Sequence, residues 1–192
     1  MLTFDGDDTL VGNAQIASPG FGMFIVCSFD NNTTRMAALD IGSAGGAFRY
    51  CVIEQNTFQS LPQRYGFYVN QSSQQSSAAA SSGYKIMLAT SAAITGSNIA
   101  TTTTYRINGS GATLTPTSES VNYQTIAAGY TVGGFTGVTS FRLVGSVAEV
   151  IAFSALVDTL TIQRIEGYLA HKWGLTVSLP ADHPFKTAAP TI

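Results

Sequence analysis

Apolar and polar positions change places in short runs along most of this chain, and Gly, Asn and Asp clusters separate the runs. Strands are predicted at residues 2–4, Phe21–Phe29, Thr34–Ile41, Phe48–Glu54, Tyr65–Asn70, Tyr84–Ala89 and Thr103–Ile107. Weaker strand patterns lie near Tyr123–Ile126 and Tyr130–Val132, and Ser140–Val144 and Ser146–Phe153 complete the set. In Thr34–Ile41, Met36, Ala38 and Asp40 alternate against Arg35 and Leu39. Asn108-Gly109 predicts a type I′ hairpin turn, with the return strand at Ala112–Leu114. Gln71–Ser82, QSSQQSSAAASS, has neither charge nor hydrophobic period and reads as a long surface loop.

The period changes once. After the apolar run Val147–Phe153, Ile162, Ile165, Leu169 and Trp173 fall three and four apart, on one face of a helix. Asp158 or Thr159 can cap its start and Gly174 its end, with Lys172 in the last turn. Leu179-Pro180 and His183-Pro184 then force an extended, turning tail. Trp173 is placed in the core. His171 reads as a polar cap to the last turn and His183 as a tail anchor. Strand, capped helix and proline-pinned tail together predict a terminal clasp over the sheets.

No strand–helix–strand alternation and no fixed-period repeat is present. The pattern predicts one domain over residues 1–192, an all-β antiparallel two-sheet sandwich with one short C-terminal helix. The words AEVIAF, IEGYLAHKWGL and LPADHP, and the opening TFDGDDTL, resemble the ends of concanavalin-A-like (laminin-G-like) jelly-roll domains. The resemblance covers about forty C-terminal and eight N-terminal residues; the middle of the chain matches only in its short strands and polar turns. It implies a jelly roll of a kind found in bacterial surface proteins and in bacteriophage virion proteins. The same sandwich hosts lectins, glucanases, adhesins and spacers, so it fixes function weakly.

Composition changes the picture at one point. Charged residues make 10% of the chain, where about 25% is usual, and Ser, Thr, Asn, Gln, Ala and Gly take their place. An uncharged polar skin suits a protein whose surface faces other subunits. The net charge is −2 with nine scattered Lys and Arg, which predicts no nucleic-acid partner. No apolar run is long enough for a membrane span. The N-terminus lacks the features of a signal peptide, and Met1 reads as a true start, so the expected site of assembly is the host cytoplasm. Cys27 and Cys51 lie in strand-like runs and read as buried reduced thiols, with a disulfide as the alternative if their strands pair.

Catalytic chemistry is not found. Glucanases of the resembled family carry Glu-x-Asp-x-x-Glu on one strand; here Glu149 has Ile151 and Ser154 in register, and Glu54 and Glu119 stand alone. No cofactor or metal is predicted: Asp5, Asp7 and Asp8 read as an Asp-Gly turn, and His171 and His183 lack zinc spacing. Tyr123 and Tyr130, beside Asn122 and Gln124, are the candidate glycan contacts. Two functions remain open. The first is a non-enzymatic bacteriophage virion protein, a capsid decoration (cement) protein or a tail-fibre domain. Its partners would be the major capsid protein or tail components, and it would form a symmetric homo-oligomer, with a trimer implied by the resemblance. The alternative is a lectin-like glycan-binding module of a bacterial surface or secreted protein.

Overall fold

A computed structural model describes residues 1–12, 21–30, 35–42, 49–56, 64–69, 72–91, 97–98, 103–115, 120–121 and 129–191. The strands, in chain order, are β1 (Leu2–Asp5), β2 (Leu10–Gly12), β3 (Phe21–Phe29), β4 (Met36–Gly42), β5 (Arg49–Asn56), β6 (Arg64–Val69), β7 (Ser72–Ala79) and β8 (Lys85–Ser91). There follow β9 (Ser97–Asn98), β10 (Thr103–Ile107), β11 (Ser110–Gly111), β12 (Leu114–Thr115), β13 (Ser120–Val121), β14 (Tyr130–Val132) and β15 (Val144–Phe153). Helix α1 is Thr159–Trp173, and a 3-10 turn covers Thr176–Ser178. One sheet runs β1-β15-β3-β8-β10-β11 and the other β12-β7-β6-β5-β4-β14-β2, while β9 and β13 form a separate ribbon. Neighbouring strands are antiparallel, as the short-loop pattern requires.

Period-two alternation puts Met23, Ile25, Cys27 and Phe29 of β3 and Met87 and Ala89 of β8 on the inner face of the first sheet. They meet Met36, Leu39 and Ile41 of β4 and Tyr65 and Phe67 of β6. The intervening residues, Phe24, Val26, Ile86 and Leu88, face the opposite way and are covered by Ile162, Leu169 and Ala170 of α1 and by Leu179. Burial on both faces is why β3 is an unbroken apolar run in the sequence. The terminal clasp is therefore a third layer on the outside of the first sheet.

Several expectations change. Within the expected loop Gln71–Ser82, Ser72–Ala79 is instead strand: β7 pairs with β6 on one side and β12 on the other. Its ladder is made by backbone groups, which any uncharged sequence can supply once two neighbours are in place. Of Ser140–Val144 only Val144 is strand, as the first residue of β15. Phe141 has φ 70, and its carbonyl accepts from Ala37 N–H of β4 at 2.9 Å. There Phe135, Val138 and Ala37 form a small cluster, and the Arg35 guanidinium lies 5.3 Å from the Phe135 ring and 5.0 Å from Phe141.

The Asn108-Gly109 turn has both central φ angles positive, 50 and 79, as type I′ requires. Its return is only β11, however, and the chain then crosses to the other sheet at β12 instead of continuing as one strand through Ala112–Leu114. In β4 a register shift between Ala37 and Leu39 turns both Ala38 and Leu39 to the core. Asp40 thus points away from the core and accepts from Thr136 N–H at 2.7 Å. Cys27 is a buried free thiol; β3 and β5, which carry the two cysteines, lie in different sheets. The strand expected at Tyr123–Ile126 lies outside the described residues.

Candidate functional site

The helix is set by its ends. Asp158 is the N-cap, its Oδ1 accepting from Thr161 N–H at 2.7 Å, and Gly174 closes the last turn at φ 69. The backbone N–H of Thr161 holds the Asp158 carboxyl below the usual aspartate range, so it is ionised at neutral pH. Trp173 is half-buried, a correction to its core placement. Its indole N–H donates to Glu149 of β15 at 2.7 Å, and Lys172 Nζ lies 3.0 Å from the same carboxylate. Tyr168 O–H adds a 3.3 Å hydrogen bond. Burial raises the Glu149 pKa, but the bonds from Trp173, Lys172 and Tyr168 outweigh it and leave the net value lowered. Glu149 pins helix to sheet.

A second carboxylate does the same from the inside. Glu166, on the buried side of α1, takes both prongs of the Arg106 guanidinium from β10, Nε at 2.7 Å and Nη2 at 3.0 Å. Their side chains are 1% and 18% exposed respectively. His183 Nε2 lies 3.2 Å from Glu166 Oε2. Phe185 N–H points at His183 Nδ1, which places the imidazole proton on Nε2, donating to Glu166. His183 is the tail anchor expected of it. His171 Nε2 instead lies 3.0 Å from Phe185 O and ties the helix to the tail.

Beside this cluster a groove of about 440 Å³ opens between the start of α1 and the outer face of the first sheet. Thr90 and Thr104 sit directly opposite each other on β8 and β10 and form one wall, with Arg106 two residues further along β10. Leu156, Val157 and Ile162 supply apolar surface, and Asp158 and Thr159 line the helix side. Because Arg106 Nε and Nη2 are taken by Glu166, and Nη2 also by Gly109 O, Nη1 is the guanidinium's remaining pair of donors. The exposed Thr104 hydroxyl, the Asp158 carboxylate and the Arg106 guanidinium thus share a groove with apolar side chains, a combination suited to a small polyhydroxylated ligand.

Sequence reading missed this constellation. Its only signal was Glu166, an acid set among Ile162, Ile165 and Leu169 on the apolar side of α1, where a buried charge requires a partner. Arg106 gave none, since an outward arginine on a strand is ordinary.

The residues chosen from sequence lie elsewhere. Tyr123 is outside the described residues. Tyr130 is half-buried in β14 of the second sheet, packed on the inter-sheet core, with its ring over Gly12 of β2, where a Cβ would fall 2.2 Å from Tyr130 Cζ. Asp5, Asp7 and Asp8 bring three exposed carboxylates within 4.8 Å of one another. Asp7 N–H donates to Asp5 Oδ1 at 3.3 Å, an Asx turn. A hydrogen bond with Asp5 and the charges of Asp5 and Asp8 push the Asp7 carboxyl up. The Arg142 guanidinium donates to Asp7 O.

No family model matches the chain, and no curated protein matches it in sequence. Solved structures do. The native heptameric SAP-like pentraxin of Limulus polyphemus superposes with a TM-score of 0.63 at 9% identity, over 85% of this chain and 80% of that one. The IT-sialidase CBM40 of Ruminococcus gnavus gives 0.53 at 10% identity, over 74% of this chain and 80% of its own. A Trypanosoma rangeli sialidase in complex with 2,3-difluorosialic acid gives 0.55 at 11% identity over 80% of this chain, which spans 23% of the sialidase. Two packed antiparallel sheets, the outer helix and these likenesses together establish the fold of this protein: a concanavalin-A-like jelly roll.

Proposed function

We propose that this protein is a non-catalytic glycan-binding module whose site is the groove between α1 and the first sheet. The observation that carries this reading is the groove itself, about 440 Å³, within the roughly 300–1,000 Å³ usual for small-ligand sites. Its lining of Thr104, Arg106 and Asp158 over Leu156, Val157 and Ile162 offers donors and acceptors to hydroxyls and apolar surface to a sugar ring. Support comes from the Ruminococcus gnavus neighbour, a carbohydrate-binding module. The non-catalytic part rests on the glutamates of the helix–sheet layer. Glu149 is engaged by Trp173, Lys172 and Tyr168 and Glu166 by Arg106 and His183, so both are committed to holding the helix on the sheet, whereas glycoside hydrolysis uses a pair of carboxyls aimed at the substrate.

A glycan microarray followed by titration calorimetry tests the reading. Binding at about 1 mM or tighter, roughly −4 kcal/mol, is expected for at least one oligosaccharide. Thr104→Phe, which fills the groove at an exposed strand position that tolerates an aromatic, should weaken it at least about tenfold, a loss of roughly 1.4 kcal/mol. Undiminished binding by that variant would move the site elsewhere.

A second reading, a self-associating virion component on capsid or tail, is favoured by a different observation. Charged residues are only 10%, and Leu2, Leu10 and Val11, 49%, 49% and 60% exposed, sit on β1 and β2, which end the two sheets on the same side. Association is expected to give a closed symmetric oligomer. Light scattering decides it: a monomer at tens of micromolar that is absent from purified virions rules this reading out.

A further inference from the structure

We infer that the groove selects neutral sugars and turns acidic ones away. The inference rests on the glycan-binding reading above and names the ligand class of that same groove. An arginine recognises a carboxylate or sulfate by offering two parallel N–H groups. Arg106 has already committed that edge, Nε and Nη2, to Glu166 at 2.7 and 3.0 Å. What remains is Nη1, a point contact fitted to a hydroxyl or ring oxygen.

Charge points the same way. The guanidinium is offset by Glu166, a buried carboxylate that His183 reinforces with a neutral N–H donor. Asp158 then adds an exposed negative charge on the opposite wall. The partial positive charge of the helix start, equivalent to about +0.5, is smaller than that of the carboxylate capping it. Arg164 attracts Asp158 but lines a different groove, with Ile165, Tyr168 and Pro190. The groove is therefore net negative, with the exposed Thr104 as a hydroxyl partner for an uncharged ligand.

The test is an array of neutral oligosaccharides, N-acetyllactosamine among them, each printed beside its sialylated and sulfated derivatives. Neutral members are expected to bind about fivefold or more tighter than their acidic partners, with the gap narrowing as salt screens the repulsion. Asp158→Asn keeps a good N-cap and removes the charge; it should narrow the ratio of neutral to acidic binding at least about threefold, with thermal melting confirming the fold. Acidic members that bind wild type more tightly than neutral ones overturn the selectivity and leave the glycan reading standing. A gap unchanged in Asp158→Asn overturns the assignment to this groove. Binding to no member overturns the glycan reading itself.

Discussion

Glu166 and Glu149 are the two residues through which helix and sheet are joined, and they differ in burial. Glu166 is 1% exposed and Arg106 18%. Glu166→Gln leaves the guanidinium without its counter-charge, and urea unfolding should register a loss of about 2–4 kcal/mol, the lower part of the range for breaking a buried pair, because Arg106 retains some solvent. Replacing both at once, Arg106→Met with Glu166→Leu, should recover most of that loss. Trp173 is only half-buried, so Trp173→Ala should cost about 2–3 kcal/mol, less than a fully enclosed aromatic. Trp173→Phe, which keeps an aromatic ring but removes the N–H on Glu149 and part of the ring area, should cost about 1–2 kcal/mol. Glu149 gives this contact a pH dependence. Its pKa is lowered from an ordinary 4.5 by the Trp173, Lys172 and Tyr168 bonds that outweigh burial. The stabilisation is complete above 4.5 and lost as pH falls through the lower folded value. Emission from Trp173, the sole tryptophan, should change in that window and not in Glu149→Gln.

At the scale of elements, the clasp depends on one close approach. A Cβ on Gly167 of α1 would fall 2.4 Å from Phe185 Cβ, and Phe185 in turn bonds His171 and His183. Gly167→Ala should force the tail from the helix, costing about 1–3 kcal/mol as overpacking does. Limited proteolysis would then cut within residues 180–190 in this variant long before wild type. The strand β7 teaches the opposite lesson. Its QQSS composition forms a ladder because β6 and β12 flank it, so its existence depends on neighbours and not on its own preferences.

Across the whole molecule, the two sheets enclose an apolar interior in which burial pushes the Cys27 thiol up to about 12. A protonated thiol between sheets reacts only when they part. Iodoacetamide at pH 8 should leave the Cys27 peptide unmodified in the native protein and modify it at a rate set by unfolding, as peptide-resolved mass spectrometry can follow. Modification within minutes under native conditions would contradict this packing of the sheets. With a net charge of −2 and few ionised groups, stability should also change little with salt, since few surface charges exist to be screened.

What the sequence determined by itself was local. Most period-two runs, the change of spacing at Ile162–Trp173, the Asp158 and Gly174 caps and the Asn108-Gly109 turn depend on neighbours a few residues away, and the helix, its caps and the turn are where the pattern put them. The sandwich class followed from them, as did the anchoring role of His183. Pairings between distant segments did not. β7 beside β12, the Phe141 carbonyl on Ala37 of β4, the inversion of Asp40 by a one-residue shift, and Trp173 on Glu149 were decided by tertiary structure. So was the groove, since Arg106, Glu166 and His183 lie 60 and 17 residues apart. A buried carboxylate can be read as needing a partner, but which cation reaches it is fixed only when strand, helix and tail are stacked, because the attraction depends on distance in space and not along the chain.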